Sequence, residues 1–274
     1  MKTIDVFWQV GPSVKHFFVG VAIQILLFAL PVAGASANKL PESENIRSEA
    51  EVNLLTAATR GDLDKAEALL KRGVDPNTQA KDRHGRSALI LATIGGHTDV
   101  VEILLNGGAF ADLRDKQKLS ALHWAAIRRQ TAIAGLLLEN RADVDSRGEK
   151  DVTPLLYAVS TRNHELVNLL LKYGADPNVE STENKVTPLL IAVEQQDVTL
   201  AASLLVNGAG VNQSNEDGQS PLMSAAEKGD KDITVLLLSH GADPKLKDKR
   251  GKTAITHART NGHQNIVELL ADSG

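Results

Sequence analysis

Cysteine is absent from all 274 residues. That removes disulfides, thiolate metal sites and thiol nucleophiles together. Aromatic residues are scarce at 3%, too few to fill a deep globular core with rings, so a thin core of Leu, Val, Ile and Ala is implied. There is no basic excess, since the net charge is −4. Phosphate-backbone binding is therefore excluded as the main task, and nucleic acid is not expected as a partner. What is present is ordinary globular composition, 42% hydrophobic and 23% charged, in a chain long enough for one or two domains.

A membrane-spanning run of about 20 apolar residues is also missing. The longest apolar stretch, Phe17 to Leu30, has 14 residues and contains Gln24. Cationic Lys2 and Lys15 precede it, Pro31 follows, and Ala35-Ser36-Ala37 forms a small-x-small site. This order reads as a secretory signal peptide over residues 1–37, with an uncleaved membrane anchor as the alternative. Cleavage leaves 28 basic against 33 acidic residues. An exported chain, periplasmic or secreted, is expected. Residues 38–50, "NKLPESENIRSEA", are polar without periodicity and read as a linker or a fraying first turn.

The rest of the chain repeats itself. Ser87, Ser120, Thr153, Thr187, Ser220 and Thr253 open the segments "SALILAT", "SALHWAA", "TPLLYAV", "TPLLIAV", "SPLMSAA" and "TAITHAR", at spacings of 33, 33, 34, 33 and 33 residues. A weaker copy precedes them over residues 53–77. The opening hydroxyl, often followed by Pro, suits a helix N-terminus. Leu and Ala three residues apart, as at Leu155 and Ala158, give one short helical face. A brief turn leads to a leucine-rich second helix that ends at Gly108, Gly174, Gly208 and Gly241, where a left-handed C-terminal cap is expected. About ten polar residues, such as "ADPNVESTENKV", then project as a finger before the next repeat.

This pattern resembles the ankyrin repeat, whose length is 33 residues and whose signature is T-P-L-H-x-A. The resemblance covers residues 51–274 as seven repeats, about 51–81, 82–114, 115–147, 148–181, 182–214, 215–247 and 248–274. It implies an all-α repeat fold, an ankyrin-type helical solenoid with β-hairpin or loop fingers, in which stacking supplies the core that one repeat lacks. The signature His survives only as His123; Ile90, Leu156, Leu190, Met223 and Thr256 replace it. In that family this His bonds neighbouring turns, so a looser loop network is expected. The last repeat breaks off on a helix whose Gln264, Asn265, Glu268, Asp272 and Ser273 form the polar outer face of a capping unit.

No catalytic constellation stands out. The histidines are spread along the repeats without metal-ligand spacing. Gly251-Lys252-Thr253 ends like a phosphate-binding loop, but Leu246 stands where its first Gly is required. No enzyme, cofactor or metal is expected. The sequon Asn212-Gln213-Ser214 matters only in a host that glycosylates exported proteins.

Function is then expected where repeats differ. In the ankyrin family the inner helices and fingers line a concave groove that holds other proteins. Four residues after each opening Ser or Thr lie Leu91, Trp124, Tyr157, Ile191, Ser224 and His257. The chain after residue 37 has four aromatics, Phe110, Trp124, Tyr157 and Tyr173, and two share this slot. Phe110 replaces the Asp found at Asp143, Asp176 and Asp243. Aromatic and Arg residues dominate binding hot spots, so Phe110, Trp124, Ile127, Arg128, Tyr157, Ile191, Glu194 and Lys228 are the expected contacts, with inter-repeat packing as the alternative for the rings. The last finger, "KLKDKRGK", is basic, whereas Glu180, Glu183, Glu216 and Asp217 make the two before it acidic. The function implied is protein binding by a monomer, its partner unidentified. An inhibitor of a toxic or hydrolytic enzyme and a membrane-anchored scaffold are the alternatives.

Overall fold

The computed structural model describes residues 42–272. The expected signal peptide, residues 38–41 of the linker and Ser273 lie outside them. Residues 42–50 are not linker but the start of a helix, α1 (Glu42–Arg60). Their polar composition hides the helix because it has little apolar face to declare a period.

Each later repeat supplies a helix pair. After α1 come α2 (Leu63–Lys71), α3 (Ala88–Gly95), α4 (Thr98–Asn106), α5 (Ala121–Ile127) and α6 (Thr131–Glu139). The series continues with α7 (Pro154–Ser160), α8 (His164–Lys172), α9 (Pro188–Glu194) and α10 (Val198–Val206). It ends with α11 (Pro221–Lys228), α12 (Lys231–Ser239), α13 (Ala254–Thr260) and α14 (Gln264–Ala271). No described helix is long and apolar enough to cross a membrane.

The described chain divides near residue 150 into two compact units, with Lys172–Gly174 grouped with the first. In the first unit α1 packs on α3 and α3 on α5, while α2, α4 and α6 stack behind them. In the second, α7, α9, α11 and α13 pack in succession, as do α10, α12 and α14. The repeated Leu and Ala form the seam: Leu89, Ala92, Leu122, Ala125, Leu155, Ala158, Leu189 and Ala192 are all buried.

The local signals act as the residue types require. Ser87, Thr153, Thr187 and Ser220 accept the N–H three residues on, at 3.2, 3.4, 3.2 and 3.3 Å. His123 bonds its own repeat's opening, its Nδ1 accepting Ser120 N–H at 3.2 Å. At the other end Gly108, Gly208 and Gly241 adopt φ of 89, 90 and 84°. Around Gly108, Ala109 N–H donates to Leu104 O at 2.9 Å and Gly108 N–H to Leu105 O at 3.0 Å, the paired bonds of a Schellman cap.

The fingers are turns. Among described residues the only β pairing is an isolated bridge between Gln79 and Ser87. Of the two finger forms expected, the loop is the one found, because a side chain takes the amides a ladder would use. Asp115 Oδ1 accepts the N–H groups of Gln117 and Leu119, and Asn215 Oδ1 those of Asp217 and Gln219. Asp82 and Asp248 cap their fingers likewise. Nor is the loop network loose, because successive fingers are joined through backbone bonds. Lys116 N–H donates to His84 O at 2.8 Å, Glu216 N–H to Asn184 O at 2.9 Å and Lys249 N–H to Asp217 O at 2.9 Å.

Repeat three uses Arg141 where its neighbours use a left-handed Gly, with φ of 64°. A left-handed non-glycine residue costs roughly 1–2 kcal/mol, partly offset by the greater unfolded-chain freedom of glycine. Arg141→Gly is therefore expected to raise the unfolding free energy by about 0.5–1 kcal/mol. Urea titration with an unchanged slope checks this, and a lowered midpoint refutes it.

Candidate functional site

The structure sorts seven of the eight expected contact residues as exposed or buried, and Lys228 is half-buried between them. Phe110 is 65% exposed and Arg128 is exposed. Trp124, Ile127, Tyr157, Ile191 and Glu194 are buried, at 1, 4, 2, 0 and 5% exposure. The apolar patch of rings expected from the sequence does not exist as a surface.

Trp124 lies under a finger because of a residue nine positions earlier. Its Nε1–H donates to Asp115 Oδ2 at 3.0 Å, so one carboxylate caps the finger with one oxygen and holds the inner helix α5 with the other. The Arg86 guanidinium lies 4.8 Å over the indole, a cation–π contact that seals the ring from above. Burial pushes the Asp115 carboxyl above its ordinary value despite bonds from Leu119, Trp124 and Gln117 and the nearby Arg86 charge. The same arrangement recurs in the last repeat, where His257 Nε2 lies 3.0 Å from Asp248 Oδ2. Burial opposes ionisation of Asp248, but hydrogen bonds from Lys252 N–H, His257 and Arg250 N–H outweigh it and hold the carboxyl below its ordinary value. The fourth slot is thus a finger anchor wherever a ring N–H meets an Asp.

The repeats with Tyr157 and Ile191 carry Gly148 and Ser181 instead of that Asp, and their slot side chains pack as core. Glu194 is held by Lys228, with 3.3 Å between Nζ and Oε2 and side-chain exposures of 4 and 17%. Beside it Glu227 Oε2 accepts Gln219 Nε2–H at 2.6 Å and lies 3.8 Å from His257 Nδ1. A polar row therefore lines the inner helices of the second unit. Such buried polar groups must be paired to persist.

What stays open is the finger base and the finger tips. Phe110 occupies the slot where Asp143, Asp176 and Asp243 cap a turn by accepting the N–H two residues on. Its own N–H donates to Asn77 Oδ1 at 2.7 Å. The backbone there is fixed by the preceding repeat while the ring points to solvent. Sequence reasoning found Phe110 by its departure from the repeat and Arg128 by its residue type, and missed the Asp-to-ring pairing that hides Trp124. The nine-residue spacing from Asp115 to Trp124, repeated from Asp248 to His257, is the signal that finds it. Among described residues no group of three His, Asp or Glu could hold a metal ion.

Trp124→Phe keeps the ring but removes the donor to a buried carboxylate, and is expected to cost about 1–3 kcal/mol of stability. Adding Asp115→Asn should recover part of it, since Asn215 shows that an amide caps a finger equally well. Full additivity in that double-mutant cycle would sink the pairing. Asp248 gives a pH effect of known sign. A carboxyl lowered in the folded state adds stability that is present above its unfolded value and is lost as pH falls through the folded one. Asp248→Asn should therefore narrow its stability gap to wild type as pH drops through the carboxylate range, in denaturant titrations at successive pH values.

Comparison with known proteins accords with this architecture. The family of ankyrin repeats matches residues 54–148, 112–181, 146–212 and 189–274. No curated protein matches the sequence. Among solved structures, the ankyrin repeat domain of Bcl-3, described as a unique member of the IkappaB family, superposes with TM-score 0.72 at 29% identity, covering 79% of this chain and 97% of that one. The human ASB11 ankyrin repeat domain gives TM-score 0.66 at 27% identity, covering 79% and 96%. With matches that run from residue 54 to the last residue, and helix pairs built as described above, the chain belongs to the ankyrin-repeat family.

Proposed function

We propose that this chain is an exported, non-catalytic protein-binding scaffold that presents its fingers and inner-helix ends to a protein partner. Ankyrin repeats are in general protein-protein interaction modules, and solved domains similar to this chain belong to that family. The observation that carries the reading is the tethering of the fingers. Backbone bonds from Lys116 to His84, Thr182 to Lys150, Glu216 to Asn184 and Lys249 to Asp217, all 2.8 to 2.9 Å, fix these tips against one another within each compact unit. Side chains on such tips lose little freedom when a partner arrives.

The contacts proposed are revised by burial. Phe110 and Arg128 are retained, because a large apolar side chain and a guanidinium exposed on fixed backbone are the residue types of binding hot spots. Trp124, Tyr157 and Ile191 are assigned to the frame. Export rests on the order of charge, apolar run and small-x-small site within residues 1–37. Mass spectrometry of the native chain is expected to find Asn38 as its first residue, and Met1 retained in membranes would refute cleavage.

The binding test is affinity capture from the native host, with Phe110→Ala plus Arg128→Ala as the variant. Each hot-spot truncation costs on the order of 2 kcal/mol, so the pair is expected to lower retention of the captured protein at least tenfold, about 1.4 kcal/mol or more, without moving the unfolding midpoint by much. Equal capture by the folded variant would remove these two residues from the contact surface.

A further inference from the structure

Fingers two and three of the first unit gather cations. Lys81, Arg83, Lys116 and Lys118 are exposed at their tips, and Arg128 is exposed at the end of α5. The fingers are locked side by side, because Lys116 N–H donates to His84 O at 2.8 Å and its ammonium to Asp82 O at 2.6 Å. Arg83 Nε–H donates to His84 Nε2 at 2.9 Å, and Arg86 is fixed over Trp124. The turns that carry these cations are thus fixed, and the side chains of Arg83, Lys116 and Arg86 are held as well.

The cations act on one another. Burial first, and then the Arg86 charge, hold the His84 imidazole below its ordinary value, with Arg83 adding to the effect. Burial also depresses Arg86; Asp115 and Asp82 oppose this, and Arg128 and Arg83 reinforce it. Arg83, Arg86 and Arg128 therefore lie within Coulombic reach. The two nearby acids are already engaged, Asp82 by the N–H groups of His84 and Gly85 and Asp115 by Gln117, Leu119 and Trp124. Crowded like charges raise the free energy of the unbound protein, and an anion placed among them lowers it.

We propose that this face takes an acidic segment of the partner protein, its carboxylates seated between Arg83, Lys116, Lys118 and Arg128. The inference rests on the protein-binding reading above and gives the partner's chemistry. Guanidinium groups suit carboxylates through paired N–H donors. A short acidic segment need match only these two fingers. A long polyanion such as nucleic acid also meets the field of a chain whose net charge is −4, and that field repels it.

The test uses the purified full chain and a fluorescein-labelled oligoglutamate peptide, followed by fluorescence anisotropy at low and moderate salt. Wild type should bind, more weakly as salt rises. Arg83→Glu with Lys118→Glu should weaken binding at least about tenfold, and Lys245→Glu with Lys247→Glu, on the basic last finger, should change it less than about twofold. If charge reversal unfolds the chain, Arg83→Gln with Lys118→Gln still tests the site, with a smaller loss expected. Unchanged affinity in a folded variant, or an equal loss in the last-finger control, overturns the proposal. Tighter binding of duplex DNA or of phosphatidylserine vesicles than of the peptide overturns it in favour of that ligand class. Self-association in sedimentation that Arg83→Glu with Lys118→Glu abolishes overturns it in favour of a second copy of this chain. Failure here is separable from failure of the general reading: a host protein captured equally by wild type and Arg83→Glu with Lys118→Glu removes only the acidic segment, whereas no capture by wild type removes the scaffold.

Discussion

In four of the repeats one side chain ties the repeat to the next. Asn178 Oδ1 accepts Gly210 N–H at 2.7 Å and its amide donates to Gly208 O at 3.0 Å. Asn77 and Asn212 do the same, to Phe110 N and Gly108 O and to Asp243 N and Gly241 O. The bonds reach the backbone just past the next repeat's helix cap, where the left-handed turn leaves a carbonyl and an amide pointing outward. Asp112 makes only half the clasp, accepting Asp143 N–H at 2.8 Å, because a carboxylate has no donor. A pair of seven- to nine-residue helices is too short to be stable alone. Interfaces between repeats carry the fold, and these clasps set their register.

The same economy appears in the inter-helix turns, where each repeat's side chain uses space left by the one before. His97 bonds Thr59 O at 3.1 Å with its ring over Gly61, and His263 bonds Glu227 O at 3.0 Å with its ring over Gly229. A Cβ at either glycine would overlap the ring, so the glycine and the histidine one repeat later form a matched pair. Where the turn residue is Arg162 or Gln196 the following repeat has Asp197 or Asp230. Those acids cap α10 and α12 through Leu200 N–H and Ile233 N–H. Histidine over glycine thus serves the first and last of these junctions, and an acid cap serves two of those between them.

Much of this was legible in the sequence, since the period of 33 residues, the hydroxyl caps and the terminal glycines each follow from residue type and spacing. What failed was the step from variable to exposed. Position four differs between repeats, but Trp124 and His257 each meet an Asp nine residues earlier, so there the variation is one of internal pairing and not of partner contact. Tyr157 differs from Ile191 while both remain core, which is substitution at roughly conserved hydrophobic role. Helical periodicity assigns a face within one repeat and says nothing about what the adjoining finger lays over it. Phe110 was readable because it breaks a cap that other repeats keep, leaving no internal partner to explain its ring.

That contrast gives a physical rule for where this chain meets other molecules. A residue at a variable slot belongs to the frame when another slot bonds or covers it, as Asp115 bonds Trp124 and His97 covers Gly61. It belongs to the surface when it changes alone. Arg83, Lys118 and Arg128 are exposed, although two of their slots serve the frame in other repeats: Lys118 takes the left-handed position of Gly85, Gly218 and Gly251, and Arg128 that of the buried Thr161 and Gln195. Their backbone is nonetheless fixed, since the Asp82 and Asp115 caps and the bond from Lys116 to His84 hold the turns that carry them. The buried Trp124 is what makes those exposed charges specific. Asp115 anchors finger three to its ring, Arg86 closes over it, and the cations above inherit a fixed geometry that flexible lysines on an untethered loop would lack. The ring acts on binding through position, from beneath the surface where a partner would touch.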